Sequence, residues 1–275
     1  MRLLDWDSST KTGAIGAMEW DEQARGPEAA PRLVAEWTLH VDAAHSDRLL
    51  WGIHQTLEAA RWKLSDVGLF GVGVGPGSFT GLRIGICTAR ALATVQQTPL
   101  VGVSSLAALA RPSALWAIQL DRKILVIAAQ DACKNQIFAL WGSARSVIDC
   151  VGYAEGDLAG VWKRGVEEKV LRPEELALAL KKKYSENMEG WIVLGNARTL
   201  YPDLWKVLPS RKEIHAPIPG GATLVQGRAL GLLVWEGFQA GMARTPLQVR
   251  PRYLRASDAE LKLRAGLLPK GPTRG

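Results

Sequence analysis

Cysteine and histidine are scarce in this sequence. Cys87, Cys133 and Cys150 stand far apart in 275 residues. An odd, dispersed set makes neither a disulfide framework nor a zinc site. The four histidines, His40, His45, His54 and His215, form no HExxH pattern. No apolar run approaches the ~18 residues of a membrane span. The opening MRLLDWDSST carries acidic residues at once, unlike a signal peptide. These absences set the expectation of a cytoplasmic protein with no membrane contact. Phenylalanine and tyrosine are also few, at four each, against eleven tryptophans. The tryptophans are scattered, which suits core and lobe-contact packing rather than a stacking platform.

What remains is an ordinary folded composition, 47% hydrophobic and 22% charged. Its length suits one large or two medium domains of ~100–200 residues each. The net charge of +7 is unevenly placed: residues 244–275 hold eight Lys/Arg against Asp258 and Glu260. Such a stretch reads as a solvated tail or as an electrostatic contact for RNA or an acidic partner. Tyr253 is its one aromatic residue, which argues against base stacking there.

Hydrophobic periodicity predicts three consecutive strands at 2–7, 13–20 and 33–41, then a helix in which Leu49, Leu50, Ile53, Leu57 and Ala60 share a face. A short apolar strand at 67–74, a helix over 79–96, a strand at 99–103 and a helix from Ser104 follow. A meander followed by right-handed crossovers makes a mixed sheet with helices packed on it, the ribonuclease-H-like topology. The second half repeats the theme. ILVIAAQDACKNQIFALW (124–141) parallels LLDWDSSTKTGAIGAMEW (3–20), so that Asp7 and Asp131 correspond. A third strand is expected at 146–154, helices at 172–184 and 223–241, and a strand at 190–197.

GVGVGPGSFTGLRIG (71–85) leads from a strand through glycines into a helix. It lacks the GxxxxGK[ST] of a P-loop, and Thr80 stands where a dinucleotide GxGxxG needs its third glycine. Gly75 and Gly77 flank Pro76, and Ser78 or Thr80 can cap the helix. A helix start of this kind can hold an anion. Equally, Gly81, Gly85 and Ala89 recur every fourth residue and form a smooth ridge, with Leu82, Ile86 and Leu92 beside it. Such a ridge packs within its own lobe or serves a protein interface.

GPGSFTGLRIG, with WDSST (6–10), HSDRLL (45–50), VGVSSLAALA (101–110), AAQDACKNQIF (128–138) and RPRYLR (250–255), resembles the TsaB (YeaZ) family. The resemblance implies an actin-like ATPase (ASKHA) fold, α/β in class, of two tandem ribonuclease-H-like lobes with mixed sheets flanked by helices. The lobes are expected at 1–110 and 111–260, with a C-terminal helix able to cross back to the first lobe, and a basic, flexible tail at 261–275 falls outside the resemblance. The implied role is that of a non-catalytic partner of the paralogue TsaD in forming threonylcarbamoyladenosine at position 37 of tRNAs reading codons that begin with A. A TsaE-type ATPase joins the complex, tRNA is reached through it, and the chain alone forms a homodimer. The chain needs no cofactor of its own, with ATP and metal carried by its partners.

The catalytic paralogue carries a metal-binding HxxxH pair after its fifth strand. The matching positions here are Ser105 and Leu109, a poor ligand and a non-ligand. Asp7 and Asp131 remain as a vestigial nucleotide site, or serve to hydrogen-bond the adjacent turns. No catalytic residue and no metal ligand is expected. The partner surface is assigned to His45, Leu49, Ile53, Gly81, Leu82, Gly85, Ile86 and Ala89. The glycine turn, at Gly75, Gly77, Ser78 and Thr80, is a candidate anion contact. On this reading Gly85→Leu weakens partner binding and leaves the lobe folded. The alternatives are an active small-molecule kinase or carbamoyl transferase of the actin-like fold, and an RNA-binding module using the basic C-terminal stretch.

Overall fold

The computed structural model describes residues 1–23, 30–40, 45–149, 166–185, 187–215, 217 and 224–255. Strands β1 (Arg2–Asp7), β2 (Thr12–Glu19) and β3 (Arg32–His40) form the expected meander. Helix α1 (His45–Ala60) leads to β4 (Leu69–Gly73), α2 (Phe79–Gln96) to β5 (Leu100–Val103), and α3 (Ser105–Ala117) leaves the sheet. Strand order is β3-β2-β1-β4-β5, antiparallel through the meander and parallel from β1 to β5. β1 buries both faces: Leu4 and Trp6 lie toward α1 and α2, Leu3 toward the molecular centre. Asp5 and Asp7 of the same strand are buried with them.

The second sheet holds β6 (Ile124–Asp131), β7 (Ile137–Ser143), β8 (Val166–Leu171) and β9 (Gly190–Leu194), in the order β8-β7-β6-β9. It is flanked by α5 (Pro173–Tyr184), with α6 (Ala197–Leu200) after β9. A fifth strand beside β9 is reduced to a single parallel bridge, Trp191 to Glu213. Residues 146–149 are not a strand. Residues Ala144–Ile148 form the short helix α4, because the Ser143 hydroxyl accepts the Ser146 N–H and caps it. Residues 150–154 lie outside the described set. The third strand is β8, whose register pairs Ile137 with Leu171.

Helix α7 (Gly227–Gln239) begins four residues later than its apolar run suggests and lies on the first sheet. The chain then pairs Arg244 with Leu100 and buries Val249 in the first-lobe core. The molecule is therefore layered: α1 and α2, the first sheet, α7 and α3, the second sheet, and α5. The central core between the sheets joins Leu3, Leu69 and Val101 to Val126, Ala128 and Ile192 through α3 and α7. Buried Arg111 of α3 pairs with Glu236 of α7 and donates to the Ile148 carbonyl at 3.1 Å.

Candidate functional site

The glycine turn is filled by its own lobe. Gly75 has φ +106°, a conformation that favours glycine. A Cβ on Gly77 would stand 2.4 Å from the Ser9 carbonyl oxygen, and one on Gly81 2.1 Å from that of Ser8. A Cβ on Gly85 would meet the Ser8 hydroxyl at 2.2 Å. Ser8 Oγ donates to the Gly81 carbonyl at 2.8 Å, and the Trp6 indole N–H to that of Gly85 at 3.0 Å. The glycine ridge is thus the seat of the β1–β2 turn. Two of the donors an anion would use are engaged: Ser78 N–H bonds Ser9 O at 2.7 Å, and Gly81 N–H the Ser78 hydroxyl at 3.3 Å. Thr80 is exposed.

The residues assigned to the partner surface share this packing. Gly81, Leu82, Gly85, Ile86 and Ala89 are all buried within the lobe, as are Leu49 and Ile53 of α1. His45 opens α1, but its side chain lies outside the described set. The outward face of α2 carries a second row at the same spacing: Cys87, Ala91 and Val95, all exposed. On α1, Leu50 and Trp51 face out at 53% and 48% exposure, and Val95 reaches 76%. Trp51 meets Trp37 edge to face at 5.4 Å. Both rows were visible in the sequence. The outward row could have been found by asking why apolar residues sit off the core face.

Asp7 and Asp131 hold equivalent places. Asp7 ends β1 opposite Ala14, and Asp131 ends β6 opposite Ile137. Asp7 is fully buried. Its Oδ1 accepts from Ser9 Oγ at 2.6 Å and Ser9 N–H at 2.9 Å; its Oδ2 accepts from Ser105 Oγ at 2.5 Å. Burial raises its pKa above the usual 3.8, and the bonds from Ser105 and Ser9 oppose that shift. Ser105, where the catalytic paralogue is expected to hold a metal-binding histidine, here donates to the aspartate. Leu109 sits in the central core. Asp131 is less enclosed. Its Oδ1 accepts the Cys133 N–H at 3.1 Å and the Tyr201 hydroxyl at 2.8 Å. Burial and this aspartate push Tyr201 up to about 12. Among the described residues no three His, Cys, Asp or Glu side chains are grouped to hold a metal.

The RPRYLR segment spans the space between the two aspartate turns. Arg252 N–H donates to Val74 O at 2.8 Å, and Arg255 donates to Ala132 O. Tyr253 stacks on Phe79 at 4.7 Å and accepts from Arg83 Nε at 3.1 Å. The Arg252 guanidinium pairs with Glu168 on β8, whose other oxygen accepts from Ser104 Oγ at 2.5 Å. Burial pushes Glu168 up to about 8, opposed by the Ser104 bond. Ser104 caps α3, so one buried carboxylate joins the last segment, the second sheet and the helix between the lobes.

Two ribonuclease-H-like sheets, facing each other with an aspartate at each turn, define the actin-like ATPase class. Known proteins narrow it. The family described as TsaD, tRNA N6-adenosine threonylcarbamoyltransferase, matches residues 39–155. The tRNA threonylcarbamoyladenosine biosynthesis protein TsaB of Escherichia coli is 30% identical over 208 residues, 75% of this chain and 76% of that protein. TsaB of Bacillus subtilis is 32% identical over 110 residues, 40% of this chain and 44% of its own. The solved YeaZ of Pseudomonas aeruginosa superposes with a TM-score of 0.61 at 25% identity, covering 92% of this chain and 99% of that one. The chain belongs to the TsaB family.

Proposed function

We propose that this chain serves the formation of threonylcarbamoyladenosine on tRNA as a non-catalytic partner of a TsaD-type paralogue. The observation that carries the reading is the apolar outer face of α1 and α2, with Leu50, Trp51 and Val95 turned to solvent. Scattered exposed apolar residues need no explanation, but two neighbouring helices that each present them fit a docking surface. The same face serves a homodimer when the partner is absent. A TsaE-type ATPase joins the pair, and tRNA meets the assembled complex. The Asp7 bonds support the non-catalytic half of the reading: a carboxylate whose two oxygens are held by Ser9 and Ser105 has little capacity left for a cation. ATP and metal belong to the partners, and the chain needs no cofactor of its own.

An omission assay tests this. tRNA modification is reconstituted from ATP, threonine, bicarbonate, the threonylcarbamoyl-adenylate synthase, TsaD and TsaE, with and without this chain. Modification that requires the chain supports the reading. Equal modification without it sinks the reading, as does ATP turnover by the isolated chain that Asp7→Asn abolishes.

A further inference from the structure

The first 110 residues carry nine Lys/Arg against eleven Asp/Glu, whereas residues 111–243 carry seventeen against fourteen. The basic excess of the second lobe has a focus. An open cleft of about 870 Å³ lies where α3 runs into β6, where β7 ends, and beneath the last turn of α5. Leu125 pairs with Ser143 and Asp131 with Ile137, so this cleft is at the opposite end of the sheet from Asp131. Arg122, Lys123, Arg145 and Lys183 line it, against Asp121 and Glu189. Glu189 is already engaged: its Oε2 accepts the Lys123 backbone N–H at 2.9 Å, and its carbonyl accepts from Arg122 at 3.0 Å. The side chains of Lys123 and Arg145 have no carboxylate partner among the described residues, and both are exposed. Lys181 and Lys182 extend the charge along the end of α5.

Small-molecule pockets are mostly apolar with a few polar groups. This one mixes Ile118, Ile124 and Met188 with charged side chains in an open trough edged by cations, which suits a polyanion held by its phosphates. We propose that the second-lobe cleft is a docking site for the phosphodiester backbone of RNA, with Lys123 and Arg145 as its principal contacts. This rests on the reading that the chain works in a complex acting on tRNA. It places the contact on the second lobe, on elements that the helical face of α1 and α2 does not include, so partner and RNA can be held together. Contacts to phosphate position the RNA without reading its sequence.

The test uses the heterodimer of this chain with its TsaD-type partner and measures tRNA affinity between about 50 and 200 mM salt. Lys123→Glu with Arg145→Glu is expected to weaken binding by about tenfold or more and to flatten the salt dependence by about two units of slope. Lys123→Ala with Arg145→Ala gives a smaller loss in the same direction. Arg61→Glu with Lys63→Glu, an equal charge change on the first lobe, changes affinity by less than about twofold. All these side chains are exposed, and partner co-purification verifies folding. Equal effects of the cleft and control pairs overturn the proposal. So does the absence of tRNA binding, or a cleft that binds ATP or inorganic phosphate while tRNA affinity is untouched. A normal omission assay with unaltered RNA binding in the cleft variants defeats this inference alone. A chain that proves dispensable for modification defeats the functional reading instead.

Discussion

In the first lobe Asp7 ends β1 behind a wall of its own chain, held by two serines; in the second Asp131 ends β6 in a half-open turn, held by Tyr201 and one backbone N–H. Each aspartate is the last paired residue of its strand, with six residues between Asp7 and Ala14 and five between Asp131 and Ile137. What differs is what has been packed against them. The first lobe brings a glycine helix start down onto Ser8 and Ser9. In the second, Gly195 at φ +95° turns the chain after β9, and a Cβ there would stand 2.0 Å from Ala129 O. The first lobe has become a close-packed joint that displays helices outward. The second keeps more open edges and more positive charge.

Breaking the joint should have the largest effect. Gly85→Leu drives a side chain into Ser8 and Trp6, so it is expected to cost the first lobe about 3 kcal/mol or more. A denaturant midpoint measures this, and near-normal stability with weakened partner binding would restore the ridge as an interface. Next come the outer helices. Val95 on α2 and Leu178 on α5 are similarly exposed, at 76% and 71%. Val95→Asp should weaken association with the TsaD-type partner by about tenfold or more, while stability stays within about 0.5 kcal/mol. Leu178→Asp should change neither. Titration calorimetry on both variants compares the two lobes directly.

The aspartates give a smaller, paired contrast. Ser105→Ala leaves the buried Asp7 carboxylate short of a donor and should cost about 1–3 kcal/mol. Tyr201→Phe, beside the less enclosed Asp131, should cost about 1 kcal/mol or less. The smallest effect concerns Asp5. It is buried between β1 and α7, with neither oxygen hydrogen-bonded among the described residues. Burial and the Glu36 charge hold its pKa well above 3.8. A raised carboxyl pKa contributes stability that is complete below the unfolded value and lost as pH rises through the folded one. Asp5→Asn should therefore flatten the fall in stability from acidic to neutral pH, and an unchanged slope in urea melts across that range would contradict it.

Much of this fold could be read from periodicity, because β4 and β6 are buried on both faces and read as short apolar runs. The Asp7–Asp131 equivalence was legible for the same reason. The missed third strand shows the limit. SVIDCVGYA has the composition of a strand, but Ser143 caps a short helix that takes in its first three residues. The edge strand VEEKVL alternates and looks solvated, yet buries Glu168 against Ser104 and Arg252. Spacing alone cannot say which of two i+4 rows on α2 meets the β1–β2 turn. That contact joins residues more than seventy positions apart. The basic cleft was out of reach for the same reason: Lys123 and Arg145 become neighbours only when β6 and β7 pair.

The most direct test is reconstituted tRNA modification with two variants of this chain side by side: Asp7→Asn with Asp131→Asn, and Leu50→Asp with Val95→Asp. A non-catalytic partner that docks through α1 and α2 requires the aspartate variant to support modification as well as the unaltered chain, and the helix variant to fail. Lost modification in the aspartate variant, with the fold intact and the helix variant fully active, would contradict that account and return the chemistry to Asp7 and Asp131.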